Sequence, residues 1–364
     1  MNDNRLTQYQ IKKQRVTEAA KSLIAAGHKL SLKKKTSNLF RNRRFATQGI
    51  DVTDFGHVIN VDTDNMLIEA EGMTPFETLV DAALKHQCLP AVVPELKSIT
   101  VGGGFTGIAI ESSSFIYGLV HETIVEADIL LATGDVVTAT RDNEYQDLFF
   151  GFPNTYGSLG YALRIKMKLI AAKRYVKLTH LHFDNAKHYF KKLEQLCQEN
   201  REGGNVTYID GTAYSEHDMH ITLGEFTDQA PYTSNYKFMK IFYQSIRQRD
   251  EDYLTAKDYI WRWDTDWFWC SKNFGMHNKV LRFLFGKLLL KSTRYWKVMY
   301  FARNNKVIKW LESLWSKPAE TVIQDIEVPI DQAERFHHFF HQDIGIKPVW
   351  ICPVQTADAN THFP

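Results

Sequence analysis

With 364 residues, 44% of them hydrophobic and 13% aromatic, the chain can bury a substantial core, and its length favours two domains over one. Lys and Arg number 44 against 42 Asp and Glu, a balance of +2 that makes no overall electrostatic case for a nucleic-acid partner and confines any basic surface to a local patch. Cys88, Cys197, Cys270 and Cys352 stand too far apart for a paired metal-ligand spacing or a small disulfide scaffold, which favours a reducing, cytoplasmic compartment.

The chain opens with Ile11, Val16, Ala19, Leu23 and Ile24 at helical spacing among polar residues, predicting an amphipathic helix from Leu6 to about Ala26 stopped by Gly27. No apolar stretch follows the first charges, and no window reaches the roughly 18 apolar residues of a membrane span, so a soluble or peripherally bound protein is expected. VINVD from Val58 and MLIEAEG from Met66 read as strands. A helix follows at Thr74-Pro75-Phe76-Glu77, with Thr as the expected cap and Phe76, Leu79, Val80, Ala83 and Leu84 as its apolar stripe.

From Glu122, IVEADILLATGDVVTAT predicts two strands joined by a turn at Thr133-Gly134-Asp135. Glu144–Phe150 fits a short helix and Gly157–Leu169 a further strand, giving an α+β layout with a boundary near Lys173. Beyond it, Val206–Gly224 predicts a long strand pair, and a basic, aromatic helical stretch follows Met276.

Between these elements lies Thr100–Ser114, TVGGGFTGIAIESSS. A diphosphate concentrates negative charge, and backbone N–H groups reach it only where side chains do not obstruct, as at Gly102, Gly103, Gly104 and Gly107. Thr100, Ser112, Ser113 and Ser114 add hydroxyl groups. The nucleotide-hydrolase loop is excluded because Phe105 and Thr106, not Lys and Ser or Thr, follow Gly104. Ile108, Ile110 and the Ser run favour extended or irregular backbone over the helix of a dinucleotide fingerprint, so the expectation is a loop cradle with no helix dipole. On spacing alone, a tight turn or close-packing site is the commoner reading of such glycines than a phosphate cradle.

PELKSITVGGGFTGIAIESSSFIYGLVHETI, then ADILLATGDVV, then GSLG at Gly157–Gly160, resembles the flavin-binding domain of the vanillyl-alcohol oxidase and p-cresol methylhydroxylase superfamily. LPAVVPEL, SLGYALRIKMKLIAAKRYVKL, YIDGTAYS, RFLFG and VWICPV narrow the resemblance to the delta-24 sterol reductase (diminuto) family over nearly the whole chain. The resemblance implies an α+β fold: a two-subdomain FAD-binding domain of the p-cresol methylhydroxylase type over residues 1–172, then an α+β cap domain over 173–364. Carried over by position, FAD would be bound by Thr100, Val101, Gly102, Gly103, Gly104, Phe105, Thr106, Gly107, Ile108, Ala109, Ile110, Glu111 and Ser112, with Ser113 beside them. Tyr117, Gly118, Gly157, Ser158 and Gly160 would complete the pocket, and Lys35, Thr36 and Ser37 occupy the place of the first pyrophosphate loop.

That first loop lacks the usual Gly and has no His, so FAD held noncovalently is expected. The family's eukaryotic members carry an apolar N-terminal anchor, for which this chain has no counterpart. The family also continues past VWICPV with further strands and a helix, implying a shortened cap here.

The reaction implied is reduction of an isolated carbon–carbon double bond in a sterol-like or other lipidic substrate, with NADPH as donor. Oxidation of an alcohol on the same flavin domain, or flavin binding without turnover, are the alternatives. Reduction needs an acid in the cap. Asp210 and Tyr214, four residues apart on one strand, are the candidates, against a turn at Asp210-Gly211 with Tyr214 in the core. Arg262 either meets an NADPH phosphate or pairs structurally with Asp264 or Asp266. Trp261, Trp263, Trp267 and Trp269 either line an apolar pocket or pack the core.

Lys272–Lys317 holds eleven Lys and Arg against Glu312 among Leu, Phe, Tyr and Trp, a composition suited to peripheral membrane contact, a solvated basic face or a nucleic-acid patch. His337, His338 and His341 lack the order of a zinc hydrolase and read as helical surface, so no metal is expected.

Overall fold

The first helix, α1 (Asn2–Ala25), stops where Gly27 takes φ +74°. Its buried residues are Tyr9, Val16 and Ala20, which pack on Ile50, Val52, Phe55 and Ile59, whereas Ile11 and Ile24, expected on the apolar stripe, face solvent. Charge completes the docking. The Tyr9 hydroxyl donates to Asp128 at 2.6 Å, and Lys12 and Lys13 reach Glu71 and Asp128 at 2.6 and 2.9 Å. The computed structural model describes residues 2–34, 49–290, 294, 305 and 325–363; Lys35, Thr36 and Ser37, and most of the basic stretch beyond Leu290, lie outside them.

Short strands β1 (Leu32–Lys33) and β2 (Ile50–Asp51) pair in parallel. A second group follows: β3 (Val58–Asp62), β4 (Leu67–Glu71), α2 (Phe76–Ala83), β5 (Cys88–Pro90), α3 (Val101–Thr106), α4 (Ser114–Tyr117), β6 (Ile124–Leu130), β7 (Val136–Thr140), α5 (Gln146–Gly151) and β8 (Tyr161–Ala171). Its sheet runs β3-β4-β8-β6-β7, with β5 also on β8, so the central strand is the longest and its residues 162–165 are all buried. Phe76, Leu79, Val80 and Ala83 of α2 seal the core as their spacing predicts. The expected cap does not form: Pro75 occupies the N-cap and the Thr74 hydroxyl donates instead to the His57 carbonyl at 3.1 Å.

Three residues separate β8 from β9 (Tyr175–Phe183), the first strand of a second sheet. Then come α6 (Ala186–Arg201), β10 (Val206–Ser215), β11 (Asp218–Thr227), α7 (Phe242–Ser245), β12 (Glu251–Thr255), α8 (Ala256–Ile260), α9 (Lys279–Leu289), α10 (Ile330–Phe339) and β13 (Val349–Ile351). The order is β12-β9-β11-β10-β13, antiparallel throughout. The expected strand pair is the β10–β11 hairpin. Asp210-Gly211 lies inside β10, opposite Thr222 and Ile221, and is no turn. One face of this sheet packs on Tyr189, Phe190 and Leu193 of α6. Its other face looks toward the first unit through Tyr208, Asp210 and Tyr259.

Trp261, Trp263 and Trp267 are buried in a turn after α8, with Trp263 stacked on Phe268 at 5.0 Å and edge-on to Phe242. They pack core, as the bland alternative held. Among the described residues no helix is long and apolar enough to cross a membrane.

Candidate functional site

The glycine run is a helix. Val101–Thr106 winds one and a half turns, and Thr100 caps it by accepting from the Gly103 N–H at 3.2 Å. Ile108, Ile110 and the Ser run favoured a loop from sequence, but they lie beyond the helix; within it close packing overrides glycine's poor helix propensity. A Cβ on Gly102 would stand 2.8 Å from the Gly72 carbonyl, and one on Gly104 3.0 Å from the Phe76 ring. These glycines let the helix lie against β4, β8 and α2.

Their N–H groups are already engaged: Val101 to the Thr74 carbonyl, Gly102 to Gly72, Gly104 to Thr100, at 2.8–2.9 Å. The hydroxyls are engaged as well. Ser112 donates to Glu111, Ser113 to the Ala91 carbonyl, and Ser114 accepts from the Glu111 N–H. The expected donors of the cradle are therefore spent within the fold, because a helix and its cap must satisfy their own first turn.

The open donors come next in the chain. Among the described residues the N–H groups of Ile108, Ala109 and Ile110 take no hydrogen-bond partner, and all three residues are half-buried. Ile108 holds φ +50°, a costly conformation for a β-branched residue. Facing it is the loop 154–160, where Asn154, Tyr156 and Gly157 also have positive φ and Tyr156 donates to the Thr106 carbonyl at 3.2 Å. The structure thus brings Thr106 and Gly107 against Tyr156, the residue before Gly157 and Ser158. Gly103 is exposed, and a Cβ there meets only Thr100 Oγ1. Gly160 and Gly118 serve packing: a Cβ on Gly160 would lie 2.5 Å from the Leu130 carbonyl, and one on Gly118 would collide with Glu122. Tyr117 stays half-buried beside them, its hydroxyl pushed up by burial. Three adjacent open N–H groups beside glycine-lined, strained backbone suit an anionic or heterocyclic cofactor such as FAD.

Directly after this segment lies a buried charge cluster. Arg262 Nη2 reaches Glu111 at 2.7 Å and Asp210 at 2.8 Å, and none of the three side chains is more than 1% exposed. The guanidinium lies 4.1 Å over the Tyr259 ring, the Tyr259 hydroxyl is 3.0 Å from Ser112, and Trp350 donates to Asp210 at 3.1 Å. The expected partners of Arg262 are taken elsewhere: Asp266 by a two-pronged bond from Arg282 at 2.7 and 2.8 Å, Asp264 by the Lys97 N–H at 3.1 Å.

Burial raises the Asp210 carboxyl against the pull of Arg262, while for Arg262 burial is outweighed by Glu111, Tyr259 and Asp210, which hold its charge. Glu95 is the third carboxyl. Burial first, then the neighbouring Glu111, push it well above the usual carboxylate range, and its Oε1 is buried without a hydrogen-bond partner. Neither sequence periodicity nor spacing singled out Glu95; the signal was a lone acid ending the apolar run LPAVVPEL.

Tyr214 does not join the cluster. A bulge between Ala213 and Ser215 breaks the strand period, and the hydroxyl donates to the Tyr243 carbonyl, with Arg247 over its ring at 5.0 Å. Of the histidines, His337 turns toward the Glu216 carbonyl at 3.3 Å and packs on His341.

Residues 12–140 match the family described as "FAD binding domain". The chain is 25% identical over 329 residues to the Delta(24)-sterol reductase of Arabidopsis thaliana, covering 84% of this chain and 56% of that protein. It is 28% identical over 313 residues to the Delta(24)-sterol reductase of Homo sapiens, covering 81% and 57%. Similarity to cytokinin dehydrogenase 7 of Oryza sativa subsp. japonica is narrower, 26% over 168 residues, covering 46% and 31%. The chain spans a little over half the length of the sterol reductases it matches.

Proposed function

We propose that this chain, a member of the FAD-linked oxidoreductase superfamily that includes the delta(24)-sterol reductases, is an FAD-dependent oxidoreductase that reduces a carbon–carbon double bond of a sterol-like or other lipidic substrate, with NADPH as donor. One observation carries the reading. The open N–H groups of Ile108, Ala109 and Ile110 run directly into Glu111, which is paired with Arg262 of the second unit and through it joined to Asp210. In this reading residues 1–172 form the two-subdomain flavin domain and 173–364 the cap, with the flavin at the seam between them.

Gly103, Gly107, Ile108, Ala109 and Ile110, with Tyr117 and Gly157-Ser158, would hold FAD noncovalently; bound there, FAD would supply the hydride. The chain itself supplies orientation and a proton. Arg262 fixes Glu111 and Asp210 across the seam, excluding water. Glu95, whose carboxyl burial pushes upward and whose Oε1 has no hydrogen-bond partner, is the acid this cluster offers for the second alkene carbon, in place of Tyr214, whose hydroxyl is committed to backbone.

The lipidic substrate agrees with α9. Val280, Phe283, Leu284 and Phe285 are 46–66% exposed on this helix, with Lys279 and Lys287 among them. Such a face sinks into a headgroup region while its cations meet anionic lipid, placing the protein peripherally at a membrane.

The test is spectroscopic. Purified protein should carry a flavin spectrum, bleach anaerobically with NADPH and recover on adding a sterol alkene. Bleaching by an alcohol and not by NADPH would move the reaction to oxidation, and protein that takes up no FAD on reconstitution would remove the enzyme reading.

A further inference from the structure

We propose that His182, Asp218 and His220 form a divalent-metal site of the zinc class at one end of the second sheet. The site rests on side-chain geometry alone and is independent of the flavin reading. In the β9–β11 ladder His182 stands directly opposite His220, so both imidazoles leave the same face, and their rings lie 4.8 Å apart. Asp218 precedes His220 by two residues on β11 and so shares that face.

Asp218 Oδ1 lies 3.1 Å from His220 Nε2 and 3.5 Å from His182 Nε2. Donor atoms around a tetrahedral zinc with bonds of about 2.1 Å stand ~3.4 Å apart, so two of the three separations already have the required length. The three donor atoms all lie within 4.8 Å of one another. The remaining gap closes by rotating His182, whose side chain is 56% exposed and free to turn.

Arg247 holds the second carboxylate oxygen, Oδ2, at 2.8 Å, which leaves Oδ1 aimed at the two rings. His220 is mostly buried, its side chain 8% exposed, so it is held in place beside the more exposed His182. Two imidazoles and one carboxylate favour a borderline transition ion over calcium or magnesium, and three protein ligands leave a coordination position open toward solvent. Bound there, the ion would tie β9 to the β10–β11 hairpin on the sheet face that also carries Asp210, whose partner Thr222 is two residues along from His220.

The experiment uses the full chain as purified, stripped by dialysis against a chelator, then titrated with zinc chloride by calorimetry and with cobalt(II) by visible absorption. One zinc per chain and tetrahedral cobalt bands are expected. His182→Ala and His220→Ala should each weaken zinc at least 30-fold and Asp218→Asn at least tenfold, whereas His337→Ala should leave it unchanged. Circular dichroism reports whether each variant folds, and His182→Gln, at a half-exposed strand end, serves if alanine disturbs the sheet. Wild-type protein that takes up no zinc, or zinc bound equally by His182→Ala, would overturn the site and leave an ordinary imidazole–carboxylate cluster.

Discussion

Arg262 Nη2 lies 2.8 Å from Asp210 Oδ2, 52 positions apart in the chain, and neither side chain is more than 1% exposed. The same nitrogen reaches Glu111, so one guanidinium joins the first unit to the second sheet. Removing one partner of a buried pair leaves an uncompensated charge and costs about 3–5 kcal/mol. Arg262→Met should therefore lower the urea unfolding free energy by about that amount. Arg262→Met with Glu111→Gln and Asp210→Asn should recover part of it. A loss under about 1 kcal/mol for the single variant would mean the cluster is solvated.

Gly102 and Gly103 are adjacent and should respond oppositely. A Cβ at Gly102 meets backbone, the Gly72 carbonyl at 2.8 Å, so Gly102→Ala should cost about 1–3 kcal/mol from overpacking. At Gly103 it meets only Thr100 Oγ1 at 3.0 Å. There the helix gain of about 1 kcal/mol offsets a weakened cap of similar size. Unfolding midpoints should stay level for Gly103→Ala while flavin absorbance per protein falls; retained flavin would move the cofactor away from this turn.

His180 carries a pH signature. Burial lowers its proton affinity to about 4 from an ordinary 6.5, with Asp252 opposing the shift. Between those values the unfolded chain takes up a proton that the folded chain refuses. Stability from this group is thus complete above pH 6.5 and lost as pH falls toward 4. His180→Gln should flatten the fall measured by denaturant titration across that window; an unchanged slope would assign the fall to the other buried histidines.

Phe283→Glu with Phe285→Glu should abolish co-sedimentation with vesicles containing phosphatidylserine, and raising salt should weaken the wild-type interaction. The two side chains are 66% and 46% exposed, so folding should be unaffected and melting temperature level. Undiminished sedimentation would remove α9 from the membrane contact.

Local pattern carried much of the fold. Short β-branched runs bounded by turn residues foretold β3, β4, β6, β7 and the β10–β11 hairpin, because such side chains fit a pleated surface whatever lies beyond it. The buried stripe of α2 was legible from its helical spacing. Where a residue's fate hung on a distant neighbour, local reading went astray. Thr74 looked like a cap but its hydroxyl met the His57 carbonyl, and Tyr214 looked like a candidate acid beside Asp210 but its hydroxyl met the Tyr243 carbonyl.

TVGGGFTGIAIESSS shows the division most clearly. Sequence alone determined that this was glycine-rich backbone of a kind that admits close approach, and its order among neighbouring motifs tied it to flavin domains. Only the tertiary structure decided what the glycines approach. They pack a capped helix against Gly72 and Phe76, while the open N–H groups fall to Ile108, Ala109 and Ile110. The physical reason is that a missing side chain is a local property, whereas a hydrogen-bond donor is left unsatisfied only after every other segment has taken its place.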